Sequence, residues 1–368
     1  MKIRVLKGTR QIGGVFCEIT SKKAKIIIDF GEDLDGVKRL ENIDGLTTGA
    51  PSYDGVLITH NHQDHMGRID DVLPEINVYM SDLSRQIYER VFCFSKTKGK
   101  INRKTTNIED GKSFTIKDMT ITPYIVDHSA YNSFMILIEA NGKRILHTGD
   151  FRNHGYKGKL LEGTLKKIGK VDVLITEGTT LSREQIKSRT EDELVDDITE
   201  ATKNYNQVLM LMSTTNIDRV TTMQKVANRT GKTVIHDIVL SNVLQLVTQK
   251  IPNALNNKNV YVFLPAINYI KKDIPEYKQY IEPYLEKINA TGQKLHGDFI
   301  MNVRVSMLRD IERLKNTSKV LNNACVVYSM WEGYKEEELY KKFLDKMKKL
   351  DIDVISLHTS RTRWLYSI

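Results

Sequence analysis

Hydrophobic and polar positions change their period partway along the chain. Short apolar or alternating runs bounded by turn residues predict strands at 3–7, 15–20, 25–30, 55–60 and 76–81, and again at 114–126, 134–140, 144–149 and 171–177. A helical period interrupts the series at 81–94 (SDLSRQIYERVFCF). Meandering strands with few helices fit sheet layers covered by helices better than a strict strand-helix alternation. The first 180 residues are therefore expected to form a layered α/β sandwich.

Helical periodicity takes over from about 181. Predicted helices at 183–205 and 216–230 flank a strand at 208–213, and strands at 232–237 and 260–265 bracket a helix at 239–249. A Lys- and Tyr-rich helical stretch follows. This alternation predicts an inserted α/β domain over 181–323. The apolar run ACVVYSM at 324–330, a helix at 335–350 and a strand at 353–360 are expected to return the chain to the first domain, giving divisions 1–180, 181–323 and 324–368. At 368 residues the chain exceeds the size of one hydrophobic core, in keeping with two domains.

Composition narrows the class. With 40% hydrophobic and 27% charged residues the chain is neither disordered nor fibrous. No apolar run reaches the roughly 18 residues of a membrane span, and the first residues carry no signal-peptide core, so a cytoplasmic protein away from membranes is expected. Cys17, Cys93 and Cys325 form no CxxC pair, which leaves any metal to His and carboxylates. The net charge of +9 favours a polyanionic partner without identifying one.

The densest chemistry is THNHQDHMG at 59–67, directly after the strand GVLIT. In an extended segment His60 and His62 emerge on one side, with Asp64 and His65 at the turn into a helix. So many candidate ligands suit a pair of ions better than one, and imidazole with carboxylate is a zinc-type donor set. Asp29, His128 and Asp150 share that grammar, each a His or carboxylate closing an apolar strand. Taken singly, such residues are more often turn, cap or structural groups.

HxHxDH, with DFG upstream and DHSAYNS and TGDFR downstream, resembles the metallo-β-lactamase fold, an αββα sandwich. The details look like its nucleic-acid-processing branch with a β-CASP insert, to which RNase J and the cleavage and polyadenylation endonucleases belong. The resemblance runs from GTRQIGGVFCEI to LITEGTT at 174–180 and resumes at VVYSMWEGY and the final HTS; it is weakest over 250–320. It implies that His60, His62 and His128 hold one zinc, that Asp64 and His65 hold a second with Asp150 bridging, and that Asp29 orients the ligands from behind. It implies catalytic duties for Asp64, Asp29 and Glu177, Glu177 matching the first acidic motif of the insert family. The expected chemistry is a hydroxide shared by two ions roughly 3.5–4 Å apart attacking a phosphodiester, with Asp64 orienting it.

Ser213, Thr214 and Thr215 follow a strand and open a helix, where they and the helix amides can hold a phosphate near Arg219; capping that helix is the other reading, and both can hold. His236 and Asp237 are read as structural. The run 96–104, with Lys98, Lys100 and Arg103, can follow a nucleic-acid backbone, although a solvated loop is the commoner meaning of such a run. Three functions remain open: a zinc-dependent ribonuclease acting on single-stranded RNA, a hydrolase of a small ester, thioester or lactam on the same fold, and a catalytically weakened RNA-binding remnant. A homodimer is a further expectation.

The family pattern continues after His358-Thr359-Ser360 with Gly-His-Ala and a later metal-site His, where this chain has Arg361-Thr362-Arg363 and ends at Ile368. The tail is therefore expected to be a truncation by frameshift, with WLYSI read out of frame and the second metal site weakened.

Overall fold

A computed structural model describes residues 1–9, 11, 13–33, 42–94, 101, 103–178, 188–247, 251–269 and 274–358. The chain divides into two compact units, one of Met1–Phe92 and Thr97–Ile186, the other of Cys93–Lys96 and Lys187–Arg361. The expected boundary at 180/181 lies among residues 179–187, outside the described ones, as do 359–368 with the frameshift expectation.

In the first unit the order is β1 (Lys2–Lys7), β2 (Phe16–Thr20), β3 (Lys25–Ile28), β4 (Gly55–Leu57), α1 (Gln63–Met66), β5 (Val78–Met80), α2 (Asp82–Cys93), β6 (Thr105–Asn107), β7 (Phe114–Ile116), β8 (Met119–Val126), β9 (Ser133–Ala140), β10 (Lys143–His147), α3 (Leu161–Ile168) and β11 (Val173–Ile175). One sheet runs β1-β2-β3-β4-β5-β6, the other β11-β10-β9-β8-β7. The two-residue period sorts side chains between layers. Ile26 and Ile28 of β3 meet Phe134, Ile136 and Ile138 of β9 in the core between the sheets. Ile27 turns the other way, toward Met66 of α1 and Tyr88 of α2. Met135 and Leu137 turn outward under Leu161 and Ile168 of α3. Helix, sheet, sheet and helix therefore stack in the expected αββα order.

The single strand expected at 114–126 is a hairpin: β7 and β8 pair antiparallel with Ile116 opposite Met119. The two-residue turn Lys117-Asp118 carries no Gly or Asn to announce it, and Lys117 takes the left-handed conformation at φ 52°.

The second unit comprises α4 (Glu191–Ala201), β12 (Gln207–Leu211), α5 (Ile217–Thr230), β13 (Thr233–Asp237), α6 (Ile238–Leu246), β14 (Val260–Phe263), α7 (Ala266–Tyr269), α8 (Pro275–Ile281), α9 (Leu285–Lys294), β15 (Phe299–Val303), α10 (Leu308–Asn316), β16 (Ala324–Tyr328), α11 (Glu338–Lys349) and β17 (Asp353–Ser356). Its sheet is parallel throughout, in the order β14-β13-β15-β12-β16-β17. The return to the first domain expected at 324 is thereby corrected. Leu209 of β12 pairs with Val326 of β16, and Val326 with Val354 of β17, so both late strands extend the second unit's sheet. Every residue of β16 is buried, and a strand apolar on both faces suits a parallel sheet covered on both sides.

Arg219, expected to contact RNA, is corrected as well. Its side chain is fully buried and its guanidinium grips the fully buried Glu191 through Nε and Nη2, each 3.2 Å from a carboxylate oxygen. Nη1 also donates to Ser329 Oγ, and Thr222 Oγ1 donates to the same carboxylate at 2.6 Å. Arg219 lies on the face of α5 that packs against α4, where a backbone-reading arginine has no route to solvent.

His236 and Asp237, expected to be structural, are both fully buried at the end of β13. Asp237 caps α6 by accepting the Leu240 N–H at 2.7 Å. His236 is wholly buried, and burial pushes its imidazole down to about 4 from the ordinary 6.5.

Two predictions follow from the second unit. Arg219→Ala leaves Glu191 buried without its partner and should cost about 3–5 kcal/mol of stability, read by urea unfolding; a near-neutral change would show that the pair is dispensable. As pH falls from 6.5 toward 4 the unfolded chain takes up a proton at His236 that the folded chain refuses, so stability is retained above 6.5 and lost below it. Between pH 7 and pH 5 this amounts to about 2 kcal/mol, and His236→Leu should remove that part of the pH dependence.

Candidate metal centre

The site is assembled from the carboxyl ends of strands in the first unit. Asp29 follows β3 with φ 58° and is fully buried. Its Oδ1 accepts the Thr59 N–H at 2.8 Å, and its Oδ2 accepts both the Thr59 hydroxyl and His65 Nδ1 at 2.8 Å. Thr59 Oγ1 spends its proton on Asp29, so the 3.0 Å contact with His60 Nδ1 requires the proton on the imidazole. The orientations follow: His60 keeps Nε2 free of a proton, and His65, with its Nδ1 proton given to Asp29, turns Nε2 toward Asp150. Backbone bonds tie the same two segments together, Phe30 N to His65 O at 2.7 Å and Glu32 N to Gln63 O at 3.0 Å. Gly31 permits this approach, because a Cβ there would stand 1.5 Å from the Asp64 carbonyl oxygen.

His60, His62 and His128 bring one nitrogen each to within 4.8 Å of one another, and His60, His65 and Asp150 form a second such group. His128 Nε2 stands 3.2 Å from His62 Nδ1, and His65 Nε2 lies 3.3 Å from Asp150 Oδ1. Asp64 stands at the margin, its Oδ2 3.7 Å from His65 Nε2. His60 Nε2 is buried with no hydrogen-bond partner. A buried imidazole nitrogen without a partner, amid converging imidazoles and a carboxylate, fits a divalent cation.

Electrostatics divides the cluster. Burial, reinforced by the neighbouring imidazoles, holds His60 and His128 well below the ordinary histidine range, and burial lowers His62 against the pull of Asp64. These three are neutral near pH 7, the form that ligates metal. Burial opposes charge at His65 too, but Asp150 and Asp29 outweigh it and raise that histidine well above its ordinary value. Asp150 is correspondingly held below the usual carboxylate range, its burial overcome by His65.

Supporting residues surround these groups. Glu177 accepts the Phe151 N–H at 2.9 Å and so steadies the segment that presents Asp150. Asp127, beside His128, accepts the Arg152 N–H on its carbonyl at 2.7 Å and the Gly155 N–H on its carboxylate at 2.8 Å. His147 Nδ1 accepts the Gly149 N–H at 3.1 Å, holding the turn before Asp150. Sequence reasoning passed over Thr59, Asp127, His147 and Arg152. The available signal was their adjacency to His60, His128 and Asp150.

Of the expected RNA contacts, Ser213, Thr214 and Thr215 lie in the second unit and Arg103 in the first. Ser213 Oγ and Thr215 Oγ1 lie 2.9 Å apart beyond β12, Thr214 is buried, and Asn216 rather than a Thr caps α5 by accepting the Arg219 N–H at 3.2 Å. Lys98 and Lys100 lie outside the described residues. Arg103 donates to the Asp70 carbonyl oxygen.

The chain belongs to the beta-lactamase superfamily: the family model described as beta-lactamase superfamily domain matches residues 24–236, more than half of the chain. Among curated relatives, it is 26% identical over 207 residues to ribonuclease J 2 of Streptococcus pyogenes, covering 52% of this chain and 37% of the relative. It is 32% identical over 165 residues to ribonuclease J of Helicobacter pylori, covering 41% of this chain and 23% of that one. It is 26% identical over 215 residues to an RNase J-like protein of Methanocaldococcus jannaschii, covering 55% and 49%. The matches thus span less than half the length of each relative. A crystal structure of a protein of unknown function from Enterococcus faecalis shares the fold with TM-score 0.72 at 19% identity, covering 97% of this chain and 87% of that one. Among the described residues no helix is long and apolar enough to cross a membrane.

Gly31→Ala should cost at least the roughly 1–3 kcal/mol of overpacking, because the clash is with backbone. Gly163→Ala in α3, where a Cβ meets nothing within 4 Å, should instead stabilise by up to about 1 kcal/mol. Thermal melts of the two variants check the contrast; equal melting temperatures would refute the close packing at Gly31.

Proposed function

We propose that this protein is a zinc-dependent ribonuclease of the β-CASP branch that cleaves single-stranded RNA. The observation that carries the reading is the convergence of His60, His62 and His128 with His65 and Asp150, backed by the buried, fully hydrogen-bonded Asp29. The names of the curated relatives, ribonuclease J, support RNA as the substrate. The net charge of +9 and a second α/β unit favour a polyanion over a small ester.

His60, His62 and His128 would hold one ion; His65, Asp150 and Asp64 would hold the second. Bound there, zinc supplies Lewis acidity toward a phosphate oxygen and lowers the pKa of water. The chain's own residues do the rest. Asp29 holds the His65 proton at Nδ1 directly and, through the Thr59 hydroxyl, the His60 proton at Nδ1, away from the ions. Asp64, with its side chain 18% exposed, is placed to orient an attacking water. Glu177 and Asp127 keep the Asp150 and His128 segments from drifting, since a small displacement of a reacting group costs rate steeply.

Zinc content and digestion of a labelled single-stranded RNA, with matched DNA and a generic ester alongside, test the reading. Wild type should carry zinc and cleave RNA in preference to the ester. The His60→Ala, His62→Ala double variant should lose the metal and at least about 100-fold in rate. Equal zinc in both proteins would sink the ligand assignment, and ester hydrolysis without RNA cleavage would favour the small-molecule hydrolase.

A further inference from the structure

Beyond the carboxyl end of β16 the chain exposes an aromatic side chain that no step above uses. Trp331 is 36% exposed, yet it is held from several directions. Its carbonyl oxygen accepts the Tyr328 hydroxyl at 3.0 Å and the Tyr334 N–H at 3.1 Å. Its ring meets Tyr334 edge-on at 5.3 Å, and Tyr334 stacks on Tyr340 at 5.2 Å with the ring planes only 10° apart. The indole lies directly over Gly333, where an added Cβ would fall 2.3 Å from a ring carbon. Only glycine leaves room for that pose. An exposed tryptophan fixed in this way loses little entropy when a flat ligand covers it.

Position and charge narrow the class of ligand. In parallel α/β sheets ligands gather outside the carboxyl ends of the strands, and Trp331 sits there. Ser329 N donates to Leu211 O at 2.9 Å, so Trp331 and Ser213 each stand two residues beyond that bond, on neighbouring strand ends. Three acidic side chains of the segment that follows have lysine partners, Glu332 with Lys335 at 2.6 Å, Glu336 with Lys341 at 2.9 Å and Glu338 with Lys342 at 2.5 Å, while Glu337 bears on Tyr328 and Tyr340. Such a rim offers a phosphate no strong attraction, whereas a neutral ring meets no charge penalty there. A base presents its π-face whatever its identity.

We propose that Trp331 is a stacking platform for one unpaired base of a single-stranded RNA, a subsite in the second unit that rests on the ribonuclease reading above. The platform is sequence-tolerant and contributes to binding, leaving the metal ligands untouched.

Trp331 and Trp364 are the two tryptophans of the chain, so a Trp364→Phe background makes Trp331 the single indole reporter. Zinc-loaded protein is titrated with a nuclease-resistant single-stranded RNA octamer and with an abasic ribose-phosphate strand of the same length. RNA should quench the indole emission saturably, with the midpoint that anisotropy gives for binding, and the abasic strand should not. Trp331→Ala should weaken RNA binding by about tenfold, within the range found for one stacked base, while Trp331→Tyr retains most of the affinity at unchanged zinc content. Wild-type affinity in Trp331→Ala, with no quenching in the parent, overturns the platform while RNA cleavage stands. Absence of any RNA binding by the parent overturns both the platform and the ribonuclease reading.

Discussion

The Asp29 carboxylate is the constraint on which the rest of the site depends. A fully buried carboxylate is expensive unless its charge is answered by donors, and here the Thr59 amide, the Thr59 hydroxyl and His65 Nδ1 answer it, each at 2.8 Å. Those bonds also carry information. Because the acceptor sits behind the imidazoles, the only arrangement that satisfies every group puts the ring protons at Nδ1 of His60 and His65. The opposite nitrogens then face the cavity, that of His60 as a lone pair and that of His65 beside the Asp150 carboxylate. A neutral Asn in that place would offer one acceptor instead of two and would place an NH2 against one of these donors. Geometry, tautomer and charge are thus set by one side chain at the end of one strand.

That strand end is itself a product of layering. In β3, Ile26 and Ile28 belong to the core between the sheets and Ile27 to the core beneath the helices, so register in the first sheet cannot slip without exposing one set. With register fixed, the residues just past β3, β4, β8 and β10 arrive at a common edge, carrying Asp29, the His60–His65 segment, His128 and Asp150. Backbone bonds from Phe30 and Glu32 to the α1 segment then close the gap to a distance that only Gly31 tolerates. Hydrophobic packing sets where the segments emerge, and hydrogen bonds set the final fraction of an ångström.

What could be read in advance followed the strength of the local pattern. Most strands of the first unit and the helix α2 were legible because apolar or alternating runs mark them, whereas the polar three-residue β6, TTN, carries no such mark. The HxHxDH cluster was legible because its donors are adjacent in sequence. The lost information is of other kinds. The β7–β8 turn lacks the usual turn residues, so two strands read as one. The strand β15, FIMNV, is central in its sheet yet carries Asn302 and has no alternation, and it escaped notice. The placement of β16 and β17 depends on pairing with a strand more than a hundred residues earlier, a long-range choice that no local window contains. Arg219 was misread for the same reason, since its partner Glu191 lies on another helix.

Arg219 also bears on how the chain's positive charge should be understood. Buried or half-buried arginines recur as structural cations: Arg219 with Glu191, Arg152 with Asp127, Arg68 with Asp71, Arg304 with Asp237. Each such pair is neutral as a unit, and its guanidinium is committed to holding segments together. The excess of +9 therefore falls to side chains outside these pairs. A lysine on a flexible stem offers attraction to a phosphate chain without fixed geometry, whereas these four arginine forks are committed to internal partners. On the ribonuclease reading, recognition built on such a surface responds to charge density and salt, and leaves sequence discrimination to rigid contacts with the bases themselves.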